Sequence, residues 1–364
     1  MRLPKGFLLS GIHCGIKKKK LDLGLIYSDQ DCKTEAFFTS NVNPSYSVVV
    51  SKENFKNPTR AIIVNSGNAN CYSHNEGLKD TKEIVSRLAH ALGVKTKNIL
   101  IASTGIIGKI LPKEKIIKGI PMLIKNLGKN TDDFARSILT TDNFEKISTA
   151  KIQTKNKEAT ITGFAKGAGM IYPNMATMLG FILTDVDLPA GIFRTIAKEA
   201  VALSFNSISV DGCMSTNDTV FFTSSRKVRL KNKKEIKEFT RRLNALCLKL
   251  AKNIIEDAEG ATKFVEICVK GAGSKDQAKR AGLCLANSNL FKCALYGENA
   301  NWGRIISALG QEGIKVRKDI SVTATPLKKK NIIVTIDLKS GKYSWRVYTS
   351  DLTPEYVRIN AEYS

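Results

Sequence analysis

Apolar, β-prone runs alternate with segments of helical periodicity along the first half of the chain. The runs at 60–71 and 98–108 each end in polar and glycine residues, as buried strands followed by loops do. The β-branched run at 46–51 is also typical of a strand. Apolar residues at helical spacing predict three helices, at 78–94, 113–127 and 132–140.

The second half continues the same alternation. Strands are expected on both sides of a glycine-rich turn that begins near Lys166, and the longest helical pattern covers 233–260. A proline at 189 suits the first turn of a further helix that runs to about 205. A strand, a helix and three short strands follow. The pattern predicts a mixed α/β protein whose loops follow its strands, where functional sites usually lie.

The turn between the two central strands carries the first candidate for chemistry. Thr177 stands where a stretch of glycine and turn residues changes to the apolar run "MLGFILTDV". A threonine released as a new N-terminus carries its own base, because its α-amine has a pKa near 8 and lies close to the hydroxyl. Gly167, Gly169 and the Pro173-Asn174 pair favour a tight turn before the bond between Ala176 and Thr177. The plain alternative is a loop that enters a core strand, with Thr177 as an ordinary β-branched residue.

A second candidate is the turn "STGIIG" after the buried strand at 98–108. The hydroxyl of Thr104 and the unshielded N–H of Gly105 could form an oxyanion hole, where one donor is typically worth about 10²–10³ in rate. Taken alone, the segment also fits a routine strand-to-loop turn.

The formal net charge of +24 raises a different hypothesis, a nucleic-acid-binding protein. However, 43 of the 57 basic residues are lysines, whereas specific readout and stacking favour arginine. The basic runs are also far apart along the chain. A solvated, lysine-rich surface is the simpler interpretation, and the chain is expected to bind neither nucleic acid nor membranes.

The remaining composition narrows the class of protein. The eight cysteines form no C-x-x-C pair and the three histidines have no ligand spacing, so we expect reduced thiols and no metal site. No segment reaches the roughly 18 uninterrupted apolar residues of a membrane helix. The first residues lack a signal-peptide pattern, and the expected location is the cytoplasm.

Seven ordered blocks, spread over nearly the whole chain, carry a resemblance that unites these features. They are "NSGNAN" (65–70), "STGIIG" (103–108), "KGAGMIYPNMATMLGFILTD" (166–185), "STNDT" (215–219), "EDAEGATKFVEI" (256–267), "NWGRI" (301–305) and "YVRINAEY" (356–363). In these blocks the chain resembles the glutamate N-acetyltransferase/ornithine acetyltransferase family of arginine biosynthesis.

The resemblance implies a self-cleaving enzyme. The cut would fall between Ala176 and Thr177 and give chains 1–176 and 177–364, which stay together, commonly as an α2β2 assembly. The fold would be a layered sandwich of mixed sheets and helices, similar to self-processing N-terminal-nucleophile-like hydrolases. A smaller C-terminal α/β subdomain would follow, with a boundary near residue 275.

The resemblance also implies a ping-pong reaction and a set of site residues. Thr177 would take acetyl from N2-acetylornithine, release ornithine, and pass the acetyl group to glutamate without a cofactor. Acetyl-CoA stays open as a second donor. Thr104 and Gly105 would form the oxyanion hole; the residues that hold substrate would be Thr140, Lys166, Thr177, Glu259 and Asn360.

Two of these roles agree with simple chemistry. Lys166 offers a cation to the α-carboxylate that every substrate carries, and Glu259 offers a carboxylate to the ammonium group of ornithine. Without the resemblance, Lys166 would be read as a solvated lysine and Glu259 as a helix-end carboxylate.

Some positions depart from the family pattern. Cys213 and Met214 stand in the block before "STNDT", and Asn299 and Ala300 precede "NWG". The family pattern usually ends on a threonine that contacts substrate, one residue beyond Ser364, which leaves that contact to the hydroxyl or terminal carboxylate of Ser364. The rival enzyme hypothesis is an amidase or aminopeptidase with an N-terminal threonine, in which water instead of glutamate accepts the acyl group.

Overall fold

The computed structural model describes residues 2–73, 76–154, 157–172 and 178–362. Within these ranges the chain forms a large mixed sheet, a smaller sheet and the helices that cover them. The strands of the large sheet are β1 Leu8–Ile12, β2 Leu23–Phe38, β3 Thr59–Asn68, β4 Ile99–Ile106, β5 Lys146–Gln153, β6 Glu158–Lys166, β7 Leu179–Asp187 and β8 Thr219–Arg229. The smaller sheet contains β9 Phe264–Ala272, β10 Ser321–Ala324, β11 Asn331–Asp337 and β12 Tyr343–Ser350.

Helices lie before, between and after these strands. They are α1 Tyr46–Asn54, α2 Gly77–Leu92, α3 Lys113–Lys125, α4 Asp132–Ser137, α5 Ala190–Leu203, α6 Lys233–Glu256, α7 Lys275–Ala286, α8 Asn289–Tyr296, α9 Gly303–Gln311 and α10 Pro354–Glu362. None of the helices in the described ranges combines the length and the apolar character that crossing a membrane would need.

The long strand β2 joins the two halves of the large sheet. Its first part pairs with β1 and β3, and its second part, from Lys33 to Phe38, pairs with β8. The order across the sheet is β4-β3-β2-β8-β7-β6-β5. The pairs β3–β4 and β7–β8 are parallel, so the carboxyl ends of β3 and β4 lie side by side.

Alternating side chains of the first half of the sheet enter two different cores. In β3, Ile62 and Val64 belong to a central core, whereas Ala61 and Ile63 pack with residues of α2 and α3 on the outer face. Both sets are fully buried, which explains why the strand reads as a continuous apolar run.

The second half of the sheet alternates in the same way. Phe181 of β7 and Phe221 of β8 enter the same central core as β3 and β4, while Ile182 and Phe222 pack against α5 and α6. The two halves of the large sheet therefore share the central core, and helices cover the outer face of each half. This helix–sheet–sheet–helix order confirms the predicted layered α/β architecture.

One predicted element is wrong. The segment 46–51, expected to be a strand, lies in helix α1. The Oγ atom of Ser45 accepts a hydrogen bond from the N–H of Val48 and caps the helix. Ser51 then donates to the carbonyl of Ile101 at 2.6 Å and accepts from its N–H at 2.8 Å, which satisfies both groups on the free edge of β4. The cap at Ser45 and the contacts of Ser51 with β4 thus outweigh the strand preference of the β-branched residues.

The smaller sheet confirms the predicted C-terminal α/β unit. In it β9 pairs in parallel with β11 and antiparallel with β12, and α7, α8 and α9 share its core. The unit begins with β9 at Phe264, and α7 begins at Lys275.

Candidate active site

Six of the site residues inferred from sequence line one pocket. They are Thr104, Gly105, Thr140, Lys166, Glu259 and Asn360. They come from the end of β4, the segment after α4, the end of β6, the turn after α6, and α10. Ala176, Thr177 and Ser364 lie outside the described residues. Thus segments separated by up to about 250 positions along the chain meet at one place.

Gly105 stands where β3 and β4 approach each other most closely. Its φ of 133° lies in the region that favours glycine, and a Cβ atom there would stand 2.3 Å from the carbonyl carbon of Gly67. A side chain would push the two strands apart. The preceding residue, Thr104, is buried at the wall of the pocket.

Asn217, from the "STNDT" block, ties the ends of these two strands together. Its Nδ2 atom donates to the carbonyl of Ala69 at 2.6 Å and to the carbonyl of Ser103 at 2.8 Å. Ala69 directly follows β3, and Ser103 lies in β4 directly before Thr104. Asn217 therefore fixes the position of the Thr104-Gly105 turn.

Lys166 is a buried cation at the base of the pocket. Its side chain is 3% exposed, and its Nζ atom lies 3.9 Å from Oδ2 of Asp142. Burial lowers the pKa of Lys166, and the charge of Asp142 opposes that shift. Glu259 also stabilises the charged form, so this carboxylate lies near enough to act on the lysine.

Asp142 organises the groups around Lys166. It accepts hydrogen bonds from the N–H of Thr140 at 3.0 Å, the N–H of Gly167 at 2.7 Å and Nζ of Lys146 at 2.8 Å. Burial would raise the pKa of Asp142, but the charges of Lys166 and Lys146 and the bond from Gly167 hold it well below its usual range. Asp142 therefore interacts directly with both Thr140 and Lys166, two residues that are predicted to hold substrate.

Glu259 lines the pocket and lies close to Gly169 and to the side-chain amide of Asn360. Nδ2 of Asn360 donates to Oε2 of Glu259 at 3.1 Å, and the N–H of Glu259 donates to the carbonyl of Ala168 at 3.0 Å. A Cβ atom on Gly169 would lie 2.3 Å from Oε2, so a larger residue would displace the carboxylate from this position. This contact gives a structural reason for the glycine-rich segment.

Asp218 is a buried acid beside the predicted cleavage point. Its Oδ1 atom accepts the N–H of Met178 at 2.7 Å, while Oδ2 has no hydrogen-bond partner in the described part of the chain. Burial raises the pKa of Asp218 well above its usual range, against the effects of Met178 and Lys166. Met178 directly follows Thr177, so this carboxyl group anchors the residue next to the predicted nucleophile.

Sequence reasoning missed Asp142, Asn217 and Asp218 as individual residues. Asp218 had one available signal, since it is a charged residue immediately before the apolar strand "TVFFT". Asp142 had none, because its importance depends on Lys146, Lys166 and Gly167, which reach it only in the folded chain.

The pocket combines one cation, one carboxylate and backbone donors, which suits a small zwitterionic ligand. Among the described residues, no group of three or more His, Cys, Asp or Glu side chains could hold a metal ion. Lys166 and Glu259 can bind opposite charges of one ligand. Thr104 and Gly105 lie on the same pocket wall, where a carbonyl oxygen of that ligand could receive hydrogen bonds.

Comparison with known proteins identifies the family to which the chain belongs. The model of the ArgJ family matches residues 8–326 and 319–364. The arginine biosynthesis bifunctional protein ArgJ of Geobacter sulfurreducens is 41% identical over 388 residues, covering 99% of both chains. The protein of the same name from Caldanaerobacter subterraneus subsp. tengcongensis is 38% identical over 394 residues, covering 100% of this chain and 98% of its own.

A solved structure of the arginine biosynthesis bifunctional protein ArgJ from Bacillus halodurans is 35% identical, with a TM-score of 0.46. It covers 48% of this chain and 92% of its own chain. The family match and the full-length relatives lead to one conclusion: the chain belongs to the ArgJ family.

Proposed function

We propose that this protein is an ornithine/glutamate acetyltransferase of arginine biosynthesis that works through an acetyl-threonine enzyme. The observation that carries the proposal is the meeting of Thr104, Gly105, Lys166 and Glu259 in one pocket of an ArgJ-family chain. Relatives that span its whole length are named as bifunctional proteins of arginine biosynthesis.

The first step in this proposal is self-cleavage. The hydroxyl oxygen of Thr177 attacks the carbonyl carbon of Ala176, and the peptide bond to the Thr177 nitrogen breaks as an ester forms. Water then hydrolyses the ester and leaves a free carboxylate on Ala176 and a free α-amine on Thr177. The new amine serves as the base for every later turnover. Cleavage gives chains 1–176 and 177–364, and we propose that they assemble as α2β2.

The acetyl-transfer steps follow the same logic. The α-amine takes the proton of the Thr177 hydroxyl as its oxygen attacks the acetyl carbonyl of N2-acetylornithine. Thr104 and Gly105 donate to the developing oxyanion, and the proton passes to the departing amine of ornithine. Glutamate reverses the sequence: its amine attacks the acetyl ester and N-acetylglutamate leaves.

Charge explains how one pocket serves both substrates. Lys166 binds the α-carboxylate that acetylornithine and glutamate share, and Glu259 binds the side-chain ammonium of ornithine. Asp142 positions Lys166 and the Thr140 backbone for this task. The steps need no cofactor, and we place them in the cytoplasm, where both amino acids are at hand.

The proposal is tested by supplying acetylornithine to the purified protein with and without glutamate. We expect about one equivalent of ornithine per site without glutamate, and continuous release with it, together with matching N-acetylglutamate. Equal, continuous release of ornithine and acetate in both samples would instead identify an amidase. Repeating the assay with acetyl-CoA as donor decides whether the protein has the second donor activity.

A further inference from the structure

A second cleft, distinct from the pocket described above, lies between the large and the small units of the fold. Its volume is about 700 Å³, within the range of pockets that hold a small organic ligand. Ala245 and Leu248 of α6 form one wall. The opposite wall is built from Trp345 of β12, beside the largely buried Val269 of β9 and Tyr348 of β12. Most of this inner surface is apolar or aromatic.

The rim of the cleft is strongly basic. Lys270, Lys275, Lys342 and Arg346 all line it. Arg346 lies 3.5 Å from Glu266, but the three lysines form no ion pair with any residue in the described ranges. All three lysines are exposed, and the Nζ atom of Lys342 lies 6.0 Å from the centre of the Tyr343 ring. Three cations without ion pairs around one opening favour a ligand with two or more negative charges.

Two further features prepare the cleft for an anion with a flat group. Helix α7 begins at Lys275, so the positive end of its dipole stands at the same rim, where Asp276 in the first turn offsets part of it. The indole Nε1 of Trp345 donates to Oγ of Ser207 at 2.9 Å, which holds the ring in place in the wall. A ring entering here would meet a preformed wall at Trp345, whereas the exposed lysines of the rim would be ordered on binding.

We propose that this cleft binds a nucleoside polyphosphate, with the base against the apolar wall and the phosphates at the lysine rim. The apolar wall accounts for the base of such a ligand, and the lysines at the rim account for its phosphates. Inorganic phosphate would leave the aromatic wall uncovered, and an uncharged ring would leave the lysines unpaired. The site is independent of acetyl transfer, because none of its residues lines the pocket that contains Lys166 and Glu259.

The test is calorimetric titration of the full chain with three probes at low salt. ADP carries ring and charge, pyrophosphate carries charge alone, and adenosine carries the ring alone. We expect ADP to bind with a Kd below about 1 mM and each fragment to bind at least about tenfold more weakly. Absence of saturable ADP binding would overturn the proposal. So would pyrophosphate binding as tight as that of ADP, because the aromatic wall would then contribute nothing.

Variants locate the binding to this cleft. K275Q and K342Q each remove one exposed rim charge and should weaken ADP binding about tenfold, as loss of a charged hydrogen bond does. S344W, at an exposed residue of the cleft, should fill the space and abolish binding. K118Q on α3 is the matched control, because Lys118 is a lysine outside the cleft. Equal ADP affinity in wild type, K275Q, K342Q and S344W would overturn the proposal.

Discussion

The N–H of Met178 donates to Oδ1 of Asp218 at 2.7 Å, and the other oxygen of this fully buried carboxyl group meets no hydrogen-bond partner in the described ranges. A buried polar atom without a partner is costly and calls for a reason. Met178 directly follows the predicted nucleophile. The contact holds the backbone of Met178, and the proposed self-cleavage depends on the position of the residue directly before it.

We expect D218A to slow self-cleavage by about 5- to 150-fold, the factor that corresponds to leaving the buried N–H of Met178 without its acceptor. The measurement is the conversion of the intact chain to two fragments of similar size, followed over time on denaturing gels. D187A, at the partly exposed end of β7, is the control. A fall in melting temperature with an unchanged cleavage rate would assign Asp218 to the scaffold.

Thr104 is expected to act on the transition state. T104A should lower kcat by about 10²–10³-fold and leave KM nearly unchanged, because an oxyanion contact strengthens only as the carbonyl becomes tetrahedral. T104S keeps the hydroxyl and should retain most activity. Steady-state kinetics with acetylornithine and glutamate give kcat and KM for both variants. A rise in KM alone in T104A would move Thr104 from the oxyanion hole to substrate binding.

Glu259 is expected to distinguish the two substrates. E259Q keeps the size of the side chain and can still accept from Asn360, but it removes the charge that would bind the ornithine ammonium. We expect kcat/KM for acetylornithine to fall about 10- to 150-fold, and the reaction of glutamate with the acetyl-enzyme to fall much less.

Single-turnover measurements of each half-reaction test this difference. E256Q is the matched control, because Glu256 is an exposed carboxylate at the end of α6. Equal losses in both half-reactions of E259Q would contradict the assigned role.

Lys166 is expected to affect both half-reactions equally, since both substrates carry an α-carboxylate. K166M should raise KM for acetylornithine and for glutamate by about 10- to 150-fold, while Asp142 keeps its bond to Lys146. The exposed Lys151 of β5 supplies the control K151M. A selective loss with one substrate would show that Lys166 binds something other than the shared carboxylate.

The pH dependence of substrate binding follows from the same residue. Burial lowers the pKa of Lys166 below that of an ordinary lysine, so its charge is lost at a lower pH than the charge of an exposed lysine. We therefore expect KM for acetylornithine to rise with pH before a solvent-exposed lysine would titrate. In K166M that rise should be absent; an identical profile in wild type and K166M would contradict the assignment.

The elements that could be predicted from sequence are those whose burial leaves a clear hydrophobic pattern. Strands β3 and β4 are buried on both faces, so their sequences are continuous apolar runs that any periodicity analysis finds. Helix α1 was missed because its Val residues suggest a strand, whereas the N-cap at Ser45 and the contact of Ser51 with β4 stabilise the helix. Thr104 and Lys166 could be named from their motifs, but Asp142 becomes important only when Lys146, Lys166 and Gly167 meet it in the folded chain.

The central claim is that Thr177 carries the acetyl group during turnover. The most direct measurement is to mix the purified protein with N2-acetylornithine in the absence of glutamate, quench it with acid, digest it and determine peptide masses. We predict a peptide that begins at Thr177 and carries one acetyl group, which disappears when glutamate is added before the quench. Formation of N-acetylglutamate while every peptide containing Thr177 stays unmodified would contradict the account.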